Sequence, residues 1–141
     1  MGGADLLARP EVDELLIAEH IGGGIEVLVG VTQDPLLGPV IVVGAGGTAA
    51  EALADVARSV LPLTRSRAER MVAGLRVARL LDGWRGQPPV DTAALIDTIM
   101  RLAELAAAEP LVELDINPLL VRVDGVVGLD ALVRLGLDAT N

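Results

Sequence analysis

The stretch Leu111-Val-Glu-Leu-Asp-Ile-Asn-Pro-Leu-Leu-Val-Arg-Val-Asp-Gly125 carries the clearest structural pattern in the chain. Apolar and polar residues alternate from Leu111 to Ile116, which is the period of a β-strand with one buried face. Asn117-Pro118 interrupts the pattern, and a second strand is expected from Leu119 to Val123. Asp124-Gly125 is a strong signal for a tight hairpin turn, so residues 126–130 are expected to return beside that strand.

The residues before this hairpin predict further strands and three helices. Branched and apolar residues predict strands at 14–21, 25–33 and 40–43, the first two joined by a triple-glycine turn. Helical spacing and capping residues predict helices over 49–60, 68–81 and 91–108. Residues 131–137 are predicted to form a final short helical turn. This element pattern indicates an α+β fold, with a mainly antiparallel sheet packed against about three helices.

Composition excludes several classes of protein. The chain has 141 residues with 11 basic and 20 acidic side chains, and every basic residue apart from one His is Arg. A net charge of −9 and a single aromatic residue, Trp84, argue against nucleic-acid binding. The absence of Cys excludes disulfides and Cys-based metal sites. No apolar run is long enough to span a membrane and no signal peptide is apparent, so a cytoplasmic location is expected.

The end of the predicted strand that begins at Leu111 is a candidate metal site. Alternation places Glu113, Asp115 and Asn117 on one face, and the hairpin returns Asp130 toward them. Mg²⁺ prefers such oxygen ligands and shares them with waters and substrate phosphates. The alternative interpretation is a solvated polar face on a half-exposed sheet.

Three other groups of residues have both a functional and a structural interpretation. The glycines of Gly44-Ala-Gly-Gly47 either bring backbone N–H groups to a phosphate or only make a tight turn. Arg85, in Asp82-Gly-Trp-Arg-Gly86, either binds an anion or belongs to a helix-terminal turn covered by Trp84. His20, near Glu19 and Glu26, is the single histidine and has no evident catalytic partner, which favours a structural role.

Taken in order, these motifs resemble the ATP-grasp domain of ADP-forming acyl-CoA synthetases, a family related to the beta subunit of succinyl-CoA synthetase. The matching residues begin with Gly24-Ile-Glu-Val-Leu-Val-Gly-Val-Thr-Gln-Asp-Pro35 and Gly38-Pro39. They continue through Gly46-Gly47, with Glu51 and Asp55, then Pro62-Leu63 and Gly83-Trp-Arg-Gly86, and end with Glu113-Leu-Asp-Ile-Asn-Pro-Leu119 and Asp130. The resemblance covers about residues 12 to 135.

The resemblance implies a Mg–ATP site and a role for each matching residue. Asn117 and Asp130 would ligate the nucleotide's Mg²⁺, with Asp115 at the acidic position two before Asn117. Glu19, His20 and Ile21 would match the hinge whose backbone contacts adenine. Glu26 matches an acid on the neighbouring strand, and Gly46 and Gly47 match the glycine pair. Arg85 matches the Arg of the family's Gly-aromatic-Arg-Gly turn and is the candidate catalytic residue.

The resemblance also implies a reaction and partners. Enzymes of this family are ligases that make acyl-CoA from an acid, CoA and ATP through an acyl phosphate and a phosphohistidine. Residues 12–137 would form the C-terminal lobe of the ATP-grasp domain, with 1–11 as an extension and 138–141 as a tail. The N-terminal lobe with its phosphate-binding lysines, and the CoA-binding domains or subunit, would be partners. No Lys here replaces those lysines, so the chain alone is expected not to be a competent ligase.

Two further hypotheses stay open at this point. One is a non-catalytic regulatory or interaction module that retains the ATP-grasp fold. The other is a structural domain whose Ala- and Leu-rich helices pair with a second copy in a homo-oligomer. The acyl substrate, and the choice between ATP and GTP, are not encoded in any motif of the chain.

Overall fold

The computed structural model describes residues 16–47 and 54–136, which form one sheet of six strands and three helices. The strands are β1 (Ile25–Asp34), β2 (Gly38–Ala45), β3 (Val56–Val60), β4 (Leu111–Arg122), β5 (Gly125–Gly128) and β6 (Ala131–Leu135). The helices are α1 (Arg65–Ala73), α2 (Ala78–Leu81) and α3 (Thr92–Ala108). Among these described helices, none is long and apolar enough to cross a membrane.

The sheet is antiparallel throughout, in the order β3-β2-β1-β4-β5, with β6 also paired to β4. The long strand β4 has two successive partners on one edge: β5 pairs with residues 119–122 and β6 with residues 111–116. The backbone N–H of Asn117 donates to the carbonyl of Asp130 at 3.1 Å, where the partner changes. This bond holds Asp130 beside the Asn117-Pro118 pair. The antiparallel sheet and the three helices confirm the predicted α+β class and mainly antiparallel sheet.

The core lies between one face of the sheet and the helices. Alternate residues of β1 and β2 are buried there, and α3 contributes a complete apolar face; this set includes Val27, Val29, Val31, Ile41, Val43, Leu95, Ile99 and Leu102. Asp91 caps α3, because its carboxylate accepts from the N–H of Ala94 at 2.9 Å. The predicted helix over 91–108 and the predicted strands at 25–33 and 40–43 are therefore confirmed.

The helix predicted over 49–60 is wrong for its second half, and residues 48–53 lie outside the described residues. Residues 56–60 form β3, which pairs with β2 from Val56 opposite Gly44 to Val60 opposite Val40. The apolar residues of this segment fit a helical spacing and a strand spacing equally well over so short a length. Hydrogen bonding to the exposed edge of β2 decides between the two.

The single helix predicted over 68–81 is two helices, α1 and α2. Gly74 ends α1, and the N–H groups of Arg76 and Val77 donate to the buried carboxylate of Asp55 at 2.8 and 2.9 Å. A carboxylate that binds two successive backbone N–H groups stabilises a new helix start, in the manner of an N-cap. The break therefore comes from a residue about twenty positions earlier in the chain.

Three smaller predictions need correction at the chain ends and in β4. Residues 131–135 of the helical turn predicted at 131–137 instead pair with β4 as strand β6, and residue 137 lies outside the described residues. Residues 16–21 of the predicted strand at 14–21 belong to no strand, and its first two residues lie outside the described residues. The two strands predicted on either side of Asn117-Pro118 are one continuous strand, while the Asp124-Gly125 hairpin is confirmed.

Candidate functional site

The glycine pair after β2 lies against β1 and β4 at one end of the sheet. The N–H of Gly46 donates to the carbonyl of Glu26 at 3.0 Å, and the N–H of Gly47 donates to the side-chain oxygen of Asn117 at 3.2 Å. A Cβ at Gly46 would lie 2.6 Å from the backbone of Val27. Gly47 has a φ of +61°, and a Cβ there would overlap the Glu26 carboxylate. Both positions therefore require glycine.

This contact brings together four residues that the sequence singled out separately. Glu26 is exposed on β1, Gly46 is buried and Gly47 half-buried in the turn, and Asn117 is half-buried on β4. The side-chain oxygen of Asn117 has two lone pairs, so it can accept from Gly47 and still ligate a cation. The arrangement is an amide oxygen held in place by a glycine turn, with an acid beside it.

Carboxylates form the second part of the candidate site. The pKa of Asp115 is raised, first by its partial burial and then by the negative charges of Glu113 and Asp130. The guanidinium of Arg134 on β6 lies 3.3 Å from the Glu113 carboxylate and partly offsets this charge. Asp115 lies opposite Gly30 on β1, where the absence of a side chain allows close approach of β4, because a Cβ there would lie 2.7 Å from the Leu114 carbonyl oxygen. Such a charge excess favours binding of a cation.

The oxygen donors of this site suit Mg²⁺, which usually keeps waters and phosphates as ligands, better than a metal ion that is bound by protein side chains alone. Within residues 16–47 and 54–136, no three His, Cys, Asp or Glu side chains are arranged to hold a metal ion. Asp115, Asn117 and Asp130 nevertheless provide two carboxylates and one amide near each other, and Mg²⁺ commonly takes few protein ligands together with waters and phosphates. Mg²⁺ ligation by these three residues remains a prediction.

The other two predicted groups lie outside this cluster of acids and glycines. Glu19 and His20 are exposed in a segment without regular structure, and Ile21 is half-buried where the chain approaches β1. Arg85 is exposed in a turn that is closed by the N–H of Gln87 donating to the carbonyl of Trp84 at 3.0 Å. Gly83 follows α2 with a φ of +94°, as the structural interpretation of this segment expects. The roles of these residues stay predictions.

Sequence reasoning missed a cavity of about 420 Å³ that adjoins the glycine turn. Glu26 and Gly46 form part of its wall, and Arg76, Arg79 and Trp84 line the side formed by the helical segment. The sequence pattern places both arginines in one long predicted helix, where nothing distinguishes them as ligands. Their position just after Gly74 was the available signal, and in the structure both follow the break after α1 and line the cavity.

The chain was compared with known families and curated proteins. A family model described as an ATP-grasp domain matches residues 5–135. The chain is 34% identical over 131 residues to acetate–CoA ligase (ADP-forming) I of Archaeoglobus fulgidus, covering 92% of this chain and 19% of that protein. It is 36% identical over 130 residues to the acetate–CoA ligase (ADP-forming) I subunit beta of Pyrococcus furiosus, covering 90% and 56%. The chain thus spans less than two thirds of each relative.

A solved structure with the same fold is dinucleotide-forming acetyl-coenzyme A synthetase 1 of Ca. Korarchaeum cryptofilum. The TM-score is 0.78 at 33% identity, over 82% of this chain and 55% of that one. That structure is a complex with coenzyme A and Mg-AMPPCP, and its phosphohistidine segment points towards the nucleotide-binding site.

Proposed function

The chain belongs to the ATP-grasp domain family, and from that membership we propose that it is the Mg–nucleotide-binding part of an ADP-forming acid–CoA ligase. The hydrogen bond from the Gly47 N–H to the Asn117 side chain carries this proposal. It joins the glycine turn to the candidate metal ligands, which lie far apart in the sequence. Curated relatives above 30% identity that act as ADP-forming acetate–CoA ligases support the same assignment.

In this proposal each residue has a role that comes from its chemistry or from the family resemblance. Asp115, Asn117 and Asp130 hold the Mg²⁺ that accompanies the nucleotide phosphates. The N–H groups of Gly46 and Gly47 already donate to Glu26 and Asn117, so the pair acts by allowing close approach rather than as phosphate donors. Glu19 to Ile21 contact the adenine through their backbone, and Arg85 contacts an anionic group of the reaction.

The complete reaction requires parts that this chain does not supply. Phosphoryl transfer depends on positioning the reactants and on neutralising phosphate charge. The candidate metal ligands add negative charge, and the chain contains no Lys. We therefore propose that an N-terminal ATP-grasp lobe and CoA-binding domains complete the ligase, which forms acyl-CoA through acyl phosphate and phosphohistidine. The isolated chain binds Mg–nucleotide weakly and does not catalyse the reaction.

The test is a calorimetric titration of Mg–ATP into the full chain and into the same chain joined to an intact ATP-grasp N-terminal lobe. The joined protein is expected to bind, and Asn117→Ala and Asp130→Ala are each expected to weaken binding about tenfold or more, since each removes a ligand of the metal–phosphate unit. Glu104→Gln, an exposed acid on α3, is the matched control and should leave the affinity unchanged. An absence of binding by the joined protein, or equal affinities for all variants, would refute the proposal.

A further inference from the structure

The cavity beside the glycine turn has the composition of a site for an amphipathic ligand. Its volume is about 420 Å³, within the range of small-molecule sites. Trp84, Arg76 and Arg79 line the cavity together with a set of apolar residues, here called its apolar floor. The floor consists of Ile25, Ala45, Val77 and Leu80. Such a surface suits a ligand with a planar apolar body and an anionic group.

Two strained turns and a buried carboxylate hold the walls of this cavity. In the described part of the chain, Ala54 and Arg85 are the two non-glycine residues with positive φ, at 46° and 50°. Ala54 precedes Asp55, whose buried carboxylate fixes the backbone of Arg76 and Val77. Arg85 follows Trp84, and its guanidinium lies 5.9 Å from the centre of the indole ring. Strain of this kind is typical of sites whose geometry is set in advance.

The charged residues that line the cavity are two arginines and one acid, Glu26, so the lining carries a net positive charge. Both arginines are exposed, and within residues 16–47 and 54–136 neither forms an ion pair. The two guanidinium groups outnumber the Glu26 carboxylate beside the same cavity, which favours an anionic ligand, and the bidentate geometry of Arg suits a phosphate.

We propose that this cavity is a second ligand site, which binds a phosphate monoester with an aromatic body. The phosphate pairs with Arg76 and Arg79, and the ring lies against Trp84 over the apolar floor. The site is separate from the candidate Mg–nucleotide site and shares with it only Glu26 and Gly46. It does not depend on Mg²⁺ or on the residues that would ligate it.

Trp84 provides a direct readout, because the chain contains no other Trp and no Tyr or Phe. Phenyl phosphate is titrated into the full chain without Mg²⁺ while intrinsic fluorescence is recorded, with inorganic phosphate, benzoate and benzyl alcohol as separate probes. Saturable binding of phenyl phosphate, tighter than that of each other probe, is expected. Equal or tighter binding of any of the three would overturn the proposal, since either the ring or the phosphate would then contribute nothing.

Variants locate the site. Arg76→Gln and Arg79→Gln are each expected to weaken phenyl phosphate binding about tenfold, because each removes one charge-assisted contact. Arg101→Gln, an exposed arginine on α3, should bind like the unmodified chain, and circular dichroism verifies that every variant is folded. Folded Arg76 and Arg79 variants with unchanged affinity would place the ligand elsewhere and overturn the proposal. Displacement of phenyl phosphate by Mg–ATP would do the same, since the cavity would then belong to the nucleotide site.

Discussion

The two faces of the sheet differ sharply although the same strands form both. On the helix-covered face, Val27, Val29 and Val31 of β1 are at most 2% exposed. On the outer face of the same strand, Glu26 and Thr32 are exposed, and Gly30 allows close approach of β4 at Asp115. Because successive side chains of a strand point to opposite faces, residues that stabilise the core alternate along β1 with residues that are available for binding. Residues on the covered face should tolerate little change, while those on the outer face can carry an unfavourable charge that binding requires.

The largest expected effect comes from matched substitutions on the two faces of β2. Val43→Ala should lower the free energy of unfolding by about 2–3 kcal/mol, because Val43 is fully buried and its loss leaves a cavity. Val42→Ala, its half-buried neighbour, should cost less than about 1 kcal/mol. Both substitutions replace Val by Ala in the same strand, so the change in strand propensity is the same for both. The difference in free energy of unfolding, measured by urea denaturation, therefore reports the difference in burial. Equal losses would show that the outer face is as closely packed as the covered one.

An intermediate effect is expected where a buried acid supports the helix layer. Asp55→Ala should cost about 1–2 kcal/mol, since the N–H groups of Arg76 and Val77 would lose their acceptor. Asp82→Ala, at an exposed acid after α2, should change stability by less than about 0.5 kcal/mol. Thermal unfolding of the two variants makes the comparison. A loss for Asp55→Ala no larger than for Asp82→Ala would contradict the capping role.

The smallest effect has the opposite sign and lies on the outer face. Burial and the charges of Glu113 and Asp130 raise the pKa of Asp115, so at neutral pH the folded state disfavours its charged form. Asp115→Asn should therefore raise the melting temperature at pH 7 without Mg²⁺. The gain should shrink as the pH falls through the raised pKa, because the unmodified side chain then takes up a proton in the folded state. Asp124→Asn, at the exposed hairpin, is the control; a lower melting temperature for Asp115→Asn than for this control would contradict the charge argument.

Local patterns were sufficient for the elements whose signals are strong within a few residues. The strand β1, the Asp-Gly hairpin and the helix α3 were all predicted correctly. Predictions failed where the local structure depends on a contact with residues that are distant in the sequence. Residues 56–60 became a strand because β2 offers an edge, and α1 and α2 separate because Asp55 binds the turn between them. A short apolar segment carries too little periodicity to exclude either outcome.

Sequence patterns alone were sufficient for the fold class, the family resemblance and the identity of the acidic residues on β4 and of the glycine pair after β2. Spacing fixes which face a strand residue occupies, and glycines reveal where the backbone needs positive φ or close approach. The contact of Gly47 with Asn117, and the cavity lined by two arginines and Trp84, follow from the tertiary arrangement alone. These contacts join residues far apart in the chain, and their geometry follows from strand order and register, which no local pattern specifies.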